Sequence, residues 1–164
     1  MDDLDYLRSR MDILDCLNRY TRGMDRLDRD SALSAFHADA QLDYGIFVGN
    51  PVEFFDYFHD FHTRFHHSTF HNLCNHVCEL DGDVAHAETY FFCPVNNRTE
   101  PKFTLGGGRY IDKFERRDGR WAHYSSNTDG LAHARAAIVD LGRAASTRPN
   151  GPCSGDWSPP GGTR

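Results

Sequence analysis

The chain has 164 residues, 39% of them hydrophobic, and its 12 Phe, 7 Tyr and 2 Trp supply enough apolar bulk for one domain core without disulfides. A formal net charge of −6, with no cluster among the 18 Lys and Arg, argues against nucleic acid and anionic membrane as partners. No apolar run approaches the length of a membrane span, and the acidic, amphipathic start MDDLDYLRSRMD is unlike a signal peptide, so a cytoplasmic protein is expected.

Leu4, Leu7, Met11, Leu14, Leu17 and Tyr20 step by three or four, which predicts a helix over about 3–22 that ends near Gly23. A shorter helical stretch over about 28–37 carries Leu33 and Phe36, and DAQLDYG reads as a short strand. Asn50-Pro51 opens a third helix, with Pro where a missing N–H does no harm; Phe54, Phe58, Phe61 and Phe65 form its apolar face.

The second half reads as strands. STFHNLCNHVCEL and VAHAETYFFCPV flank the turn DGD; FTLGGGRYIDKFERR and RWAHYSSNT flank DG. Gly106 to Gly108 suggest a bend or bulge in the third long strand. A last helical stretch is expected over about 130–144, closing a domain of residues 1–144. Residues 145–164 are rich in Pro, Gly and Ser and read as a tail, with Trp157 as a candidate anchor on a neighbouring subunit. Helices first and long strands after is an α+β order: three helices on one face of a curved antiparallel sheet, with a pocket between.

Five cysteines without a CxxC pair (Cys16, Cys74, Cys78, Cys93, Cys153) read as reduced thiols. The densest polar stretch is HHSTFHNLCNH, residues 66–76. Alternation places Thr69, His71, Leu73, Asn75 and Val77 on one strand face, with Phe70, Asn72, Cys74, His76 and Cys78 on the other. Asp25 follows Gly23 at a helix C-terminus, where the dipole disfavours a carboxylate. Two explanations stay open: an exposed turn residue, or an acid turned inward to pair with a histidine. The second has chemistry, because a carboxylate on one ring nitrogen fixes the tautomer and stabilises the imidazolium. His59, His62 and His66, with His67 adjacent, have the spacing of one helix face; a solvated face beside the Phe stripe is expected, and a metal site is the weaker alternative because the spacing lacks a metal-motif carboxylate.

RYTRGMDRLDRD, FHADAQLDYG, HNLCNHVCELDGDVAHAETY and GGRYIDKFERRDGRWAH, in this order, resemble the SnoaL-like branch of the NTF2-like superfamily over about residues 2–130. That resemblance implies an α+β cone. Within the family the pattern is similar to lyases such as hexachlorocyclohexane dehydrochlorinase, scytalone dehydratase and bile acid 7α-dehydratase. Two of these carry a His–Asp dyad, and Asp25 and His71 stand at the matching positions. Tyr20 and Tyr44 match tyrosines of the bile acid enzyme, and Asn75 matches a position in the dehydrochlorinase. The resemblance to the dehydrochlorinase and the bile acid enzyme implies an active-site arginine on the last strand, but Ser126 or Asn127 stands at about that place, with Arg109 as a candidate substitute.

The resemblance implies a cofactor-independent lyase of the dehydratase or dehydrochlorinase kind, with His71 as base, Asp25 as its partner, and Tyr20 or Tyr44 donating to the leaving group. Asn75 and Asn127 are expected on the substrate, with Phe47, Phe91 and Phe103 as walls. The abundance of aromatics suggests an apolar, ring-containing or steroid-like substrate. An isomerase, cyclase or epoxide hydrolase in the same pocket, or a non-catalytic binding or assembly domain, are the alternatives. A homotrimer is expected from the lyase relatives.

Overall fold

The computed structural model describes residues 2–129. The helix expected over 130–144 and the tail with Cys153 and Trp157 lie outside the described residues.

Helix α1 spans Asp3–Arg26, N-capped by the Asp2 side chain. Its buried positions are Ser9, Ile13, Cys16, Leu17, Tyr20, Thr21, Gly23 and Met24. Leu4, Leu7, Met11 and Leu14 are exposed instead. The expected stripe advances mostly in threes, short of the 3.6 residues of a helical turn, so it winds around the helix and only its C-terminal end faces the sheet.

The helix also runs past Gly23 rather than ending there. A Cβ on Gly23 would lie 2.4 Å from the Ala32 backbone nitrogen, so this glycine permits helix α2 (Arg29–Leu33) to cross at backbone distance. Leu27 closes α1 in the left-handed conformation, φ 54°, and Asp28 donates its N–H to the Gly23 carbonyl at 2.8 Å. Asp28 then caps α2 through Ser31.

Strand β1 is Phe36–Asp43, longer at its start than the expected short strand, because Phe36 and His37 are buried and Phe36 already pairs with His123. The short β2 (Val48–Gly49) follows, then α3 (Pro51–Phe65), capped by Asn50 on the N–H groups of Val52 and Glu53. Phe54 and Phe55 of α3 enter the core, Phe58 packs against it, and Phe61 and Phe65 stay exposed.

The remaining strands are β3 (His66–Thr69), β4 (Asn72–Asp81), β5 (Val84–Asn97), β6 (Phe103–Arg117) and β7 (Arg120–Asp129). The spatial order is β2-β1-β7-β6-β5-β3, with β4 sharing the β5 edge with β3. The sheet is mixed rather than wholly antiparallel, since β1 joins β7 in parallel. Both predicted hairpins form, with Gly82 at φ +60° in one, and Asp118 and Gly119 at +52° and +76° in the other. The β5–β6 ladder is unbroken from Val84↔Glu115 to Asn96↔Phe103, so Gly106 to Gly108 form no bulge in it.

Bulges occur elsewhere. One lies between Leu73 and His76, where two residues of β4 oppose one of β5; another places Tyr124 as the extra residue of β7 against Lys113 and Phe114. Together the curved, unclosed sheet and three helices make an α+β cone. Its core is Ile13, Leu17, Tyr20, Phe36, Leu42, Phe54, Tyr110, Phe114 and Trp121, with their buried neighbours. Among the described residues no helix is long and apolar enough to cross a membrane.

Candidate active site

Asp25 sits in the last turn of α1 and faces the gap where β3 ends and β4 has yet to begin. Phe70 and His71 occupy that gap. With the ladder interrupted, the His71 N–H is free to donate to Asp25 Oδ2 at 2.8 Å. Asp25 Oδ1 accepts from the Thr69 hydroxyl at 2.8 Å and from His71 Nδ1 at 2.6 Å. Three donors on one carboxylate offset the unfavourable helix dipole and fix the ring with Nδ1–H toward the acid. Nε2 is left as the reactive nitrogen. The two side chains are 14% and 20% exposed, enclosed enough to couple yet reachable from an open cleft of ≈570 Å³ lined by Asn18, Arg22, Thr69 and Phe70.

Burial alone pulls the His71 pKa down, but the hydrogen bond to Asp25 and the neighbouring Cys93 outweigh it and raise it to about 9. The ring is therefore an imidazolium at neutral pH. On the other side of Asp25, His62 Nδ1 meets His66 Nδ1 at 2.7 Å, and burial followed by the neighbouring His66 lowers His62 to about 4. His62 stays neutral and leaves His71 as the charged ring. His59 is exposed. Among the described residues no three His, Cys, Asp or Glu side chains converge to hold a metal.

Phe91 lies 6.1 Å from the His71 ring, centroid to centroid, and stacks on Tyr110 at 4.3 Å, forming a flat wall. Tyr20 and Tyr44 pack their rings against Tyr110 in the interior, at 5.8 and 6.4 Å between centroids, and the Tyr44 hydroxyl reaches Ser126 Oγ at 3.0 Å. Burial raises all three phenols well above their ordinary range, so they remain hydrogen-bond donors and do not ionise. Deeper still, Asp112 is 3% exposed, and its carboxylate has no hydrogen-bond partner among the described residues. Its neighbour His123 approaches to 3.7 Å with Nε2, while Nδ1 is engaged by the Ala35 carbonyl at 2.9 Å.

Five expected positions fall elsewhere. The β4 bulge reverses the alternation, so Asn75 and Val77 are exposed on the outer face, whereas His76 and Cys78 turn inward. Phe103 pairs with Asn96 on the outer face of the unbroken β5–β6 ladder. The β7 bulge turns Ser126 inward and leaves Asn127 exposed. Arg109 reaches Glu88 at 3.3 Å and covers Tyr90, also on the outer face. Phe47 is half-buried against Phe54 and Tyr57, beside the core rather than at the dyad.

Thr69, Cys93 and Tyr110 were not singled out by sequence reasoning. Thr69 and Tyr110 had a signal in alternation, since Thr69 shares a predicted face with His71 and Tyr110 falls inside a strand. Cys93 had none. Counting back from the Asp81–Val84 turn sets His71 opposite Pro94; the bulge moves it to Cys93, between the pairs Asn72↔Phe92 and Thr69↔Val95.

The SnoaL-like domain family matches residues 5–127. Among solved structures, a hexachlorocyclohexane dehydrochlorinase of type 3 from Novosphingobium barchaimii LL02 is 26% identical, with a TM-score of 0.72 over 79% of this chain and 90% of that one. A protein of unknown function from Mycobacterium tuberculosis is 21% identical, with a TM-score of 0.69 over 79% and 76% of the two chains. A scytalone dehydratase candidate from Novosphingobium aromaticivorans DSM 12444 is 17% identical, with a TM-score of 0.69 over 79% and 88%. The last two show the fold alone. No curated protein sequence matches the chain.

Proposed function

Because this chain belongs to the SnoaL-like family, we propose that it is a pocket enzyme of the lyase or isomerase type, and within that class a cofactor-independent lyase acting through His71 and Asp25. The observation that carries this reading is the 2.6 Å contact between His71 Nδ1 and Asp25 Oδ1, set at the edge of a cleft. Asp25 holds the proton on Nδ1, so Nε2 is the atom that takes a proton from a carbon beside the leaving group. The imidazolium that forms is stabilised by the same carboxylate. A buried phenol, Tyr20, Tyr44 or Tyr110, donates a hydrogen bond to the charge that develops on the departing atom or on an enolate. Phe91 and Tyr110 offer their stacked rings to an apolar, ring-containing substrate.

The test is halide release from hexachlorocyclohexane and water loss from cyclic β-hydroxyketones, followed with purified protein. On whichever probe turns over, His71→Ala and Asp25→Asn are expected to lower kcat by about 10²–10⁴-fold, the range of general acid–base catalysis, with the fold retained. Activity in His71→Ala equal to that of the parent would rule the dyad out.

One observation favours a second reading. A ring raised to about 9 holds its proton well at neutral pH. A base that keeps the proton it has taken can return it to another carbon, which is isomerisation. Product analysis separates the two, since elimination frees a small fragment and isomerisation conserves mass.

A further inference from the structure

The cleft at the dyad is charged as well as open. Arg22 and Arg26 stand one turn apart on α1 and both line it, beside Phe70 and His71. Both are exposed, and neither guanidinium makes a hydrogen bond or ion pair among the described residues. Other arginines are matched with acids: Arg29 meets Asp56, Arg116 meets Asp5 and Asp83, and Arg117 meets Asp39 and Glu115.

Among the described residues Asp25 is the one acid that lines this cleft, and its oxygens already accept from Thr69 and His71. Two guanidinium groups therefore face the opening without an acid, in a chain whose formal net charge is −6. The helix dipole accounts for one of them. Arg26 lies in the last turn of α1, where a cation is favoured; Arg22 is a full turn earlier, past the reach of the dipole.

The donors present select what the pair can hold. A guanidinium offers a planar fork of N–H groups that matches the edge of a carboxylate. A phosphate site ordinarily adds backbone N–H groups. Here the Phe70 N–H donates to the Pro94 carbonyl at 3.0 Å and the His71 N–H to Asp25 at 2.8 Å, so neither is left for a phosphate. Phe70 is 59% exposed and gives the cleft an apolar surface on which a ring can lie.

We propose that Arg22 and Arg26 hold the carboxylate of a ring-containing acid, which makes the substrate of the dyad an anion. The proposal rests on the reading in which His71 and Asp25 act on the occupant of this cleft. The ring lies against Phe70, and the anchored carboxylate fixes which carbon is presented to His71. The positive field of the pair also draws anions toward the opening.

The experiment titrates the full-length protein with benzoate and with benzamide, its uncharged analogue, and follows the His71 ring protons by NMR, assigned by comparison with His71→Gln. Benzoate is expected to shift the His71 signals and to bind about tenfold or more tighter than benzamide, as charge-assisted hydrogen bonds allow. That preference shrinks as salt is added. Arg22→Gln combined with Arg26→Gln removes it; Arg8→Gln, the same charge change in another groove along α1, keeps it. Equal affinities, a preference that survives the double substitution, or benzoate binding that leaves the His71 signals unmoved overturns the proposal. Turnover is read separately. Halide release or water loss that needs His71, in a protein without a preference for benzoate, sinks this inference and spares the elimination; a preference that needs the arginine pair, in a protein that turns over neither probe, does the reverse.

Discussion

At the scale of single residues, the site turns on which nitrogen of one ring is free and when it is unprotonated. His71 is raised to about 9 against the pull of burial, by its hydrogen bond to Asp25 and the neighbouring Cys93. A raised histidine is protonated below its folded pKa, so the base form of the free enzyme grows with pH. We therefore expect kcat/KM for elimination to rise through neutral pH and level off above about 9, as the ring loses its proton. Asp25→Asn removes the bond that holds the proton, leaves burial to act, and shifts that limb to lower pH; a rate profile over pH 6–10 checks both. By linkage, the same pair stabilises the fold fully below the unfolded histidine pKa and loses its contribution as pH passes about 9. The helix dipole singled out Asp25, because an acid at the wrong end of a helix demands a reason, but it left an exposed turn open as well; His71 as its partner came from the family resemblance. The places of Asn75 and Asn127 were not legible. Each lies beside a bulge, and one extra residue turns the following side chains to the other face.

At the scale of elements, the acid is placed by a helix crossing. Gly23 lets α2 pass against α1, and Asp25 follows two residues later in the same turn. A Cβ there would meet Ala32 backbone atoms at 2.4 and 2.7 Å, which no side-chain rotation relieves. Gly23→Ala is expected to cost about 1–3 kcal/mol, as overpacking of a tight contact does. It should also lower kcat by displacing the carboxylate; urea denaturation and turnover measured on the same sample test the pair of effects. The kinds of element and their order could be read from periodicity, turn residues and the Asn50-Pro51 start. Their ends were harder. Glycine in a helix has two meanings, stop and close approach, and only the packing of Ala32 chooses between them. The expected stripe of α1 failed for a related reason: its members were apolar but their spacing did not keep one face.

At the scale of the whole molecule, the cone leaves one side of its sheet uncovered among the described residues. Val77, Tyr90, Phe92 and Ile111 are exposed together on the outer face of β4, β5 and β6. Such a patch on a sheet is expected to meet a second copy of the chain. Sedimentation velocity should find a homo-oligomer in the parent protein, and Phe92→Glu should shift it toward monomer without unfolding it. The sequence placed Phe70, Cys74 and Cys78 on that face; Phe70 and Cys74 are exposed, while the bulge takes Cys78 inside. The bulge has a further consequence for how this strand tolerates change in length. Because β4 already carries one residue more than β5 between Leu73 and His76, losing Cys74 or Asn75 would straighten the strand and keep the imidazole beside its acid. The same loss a few positions earlier, between Thr69 and Leu73, would have no slack to draw on. A one-residue deletion is therefore expected to be tolerated on one side of Leu73 and not on the other.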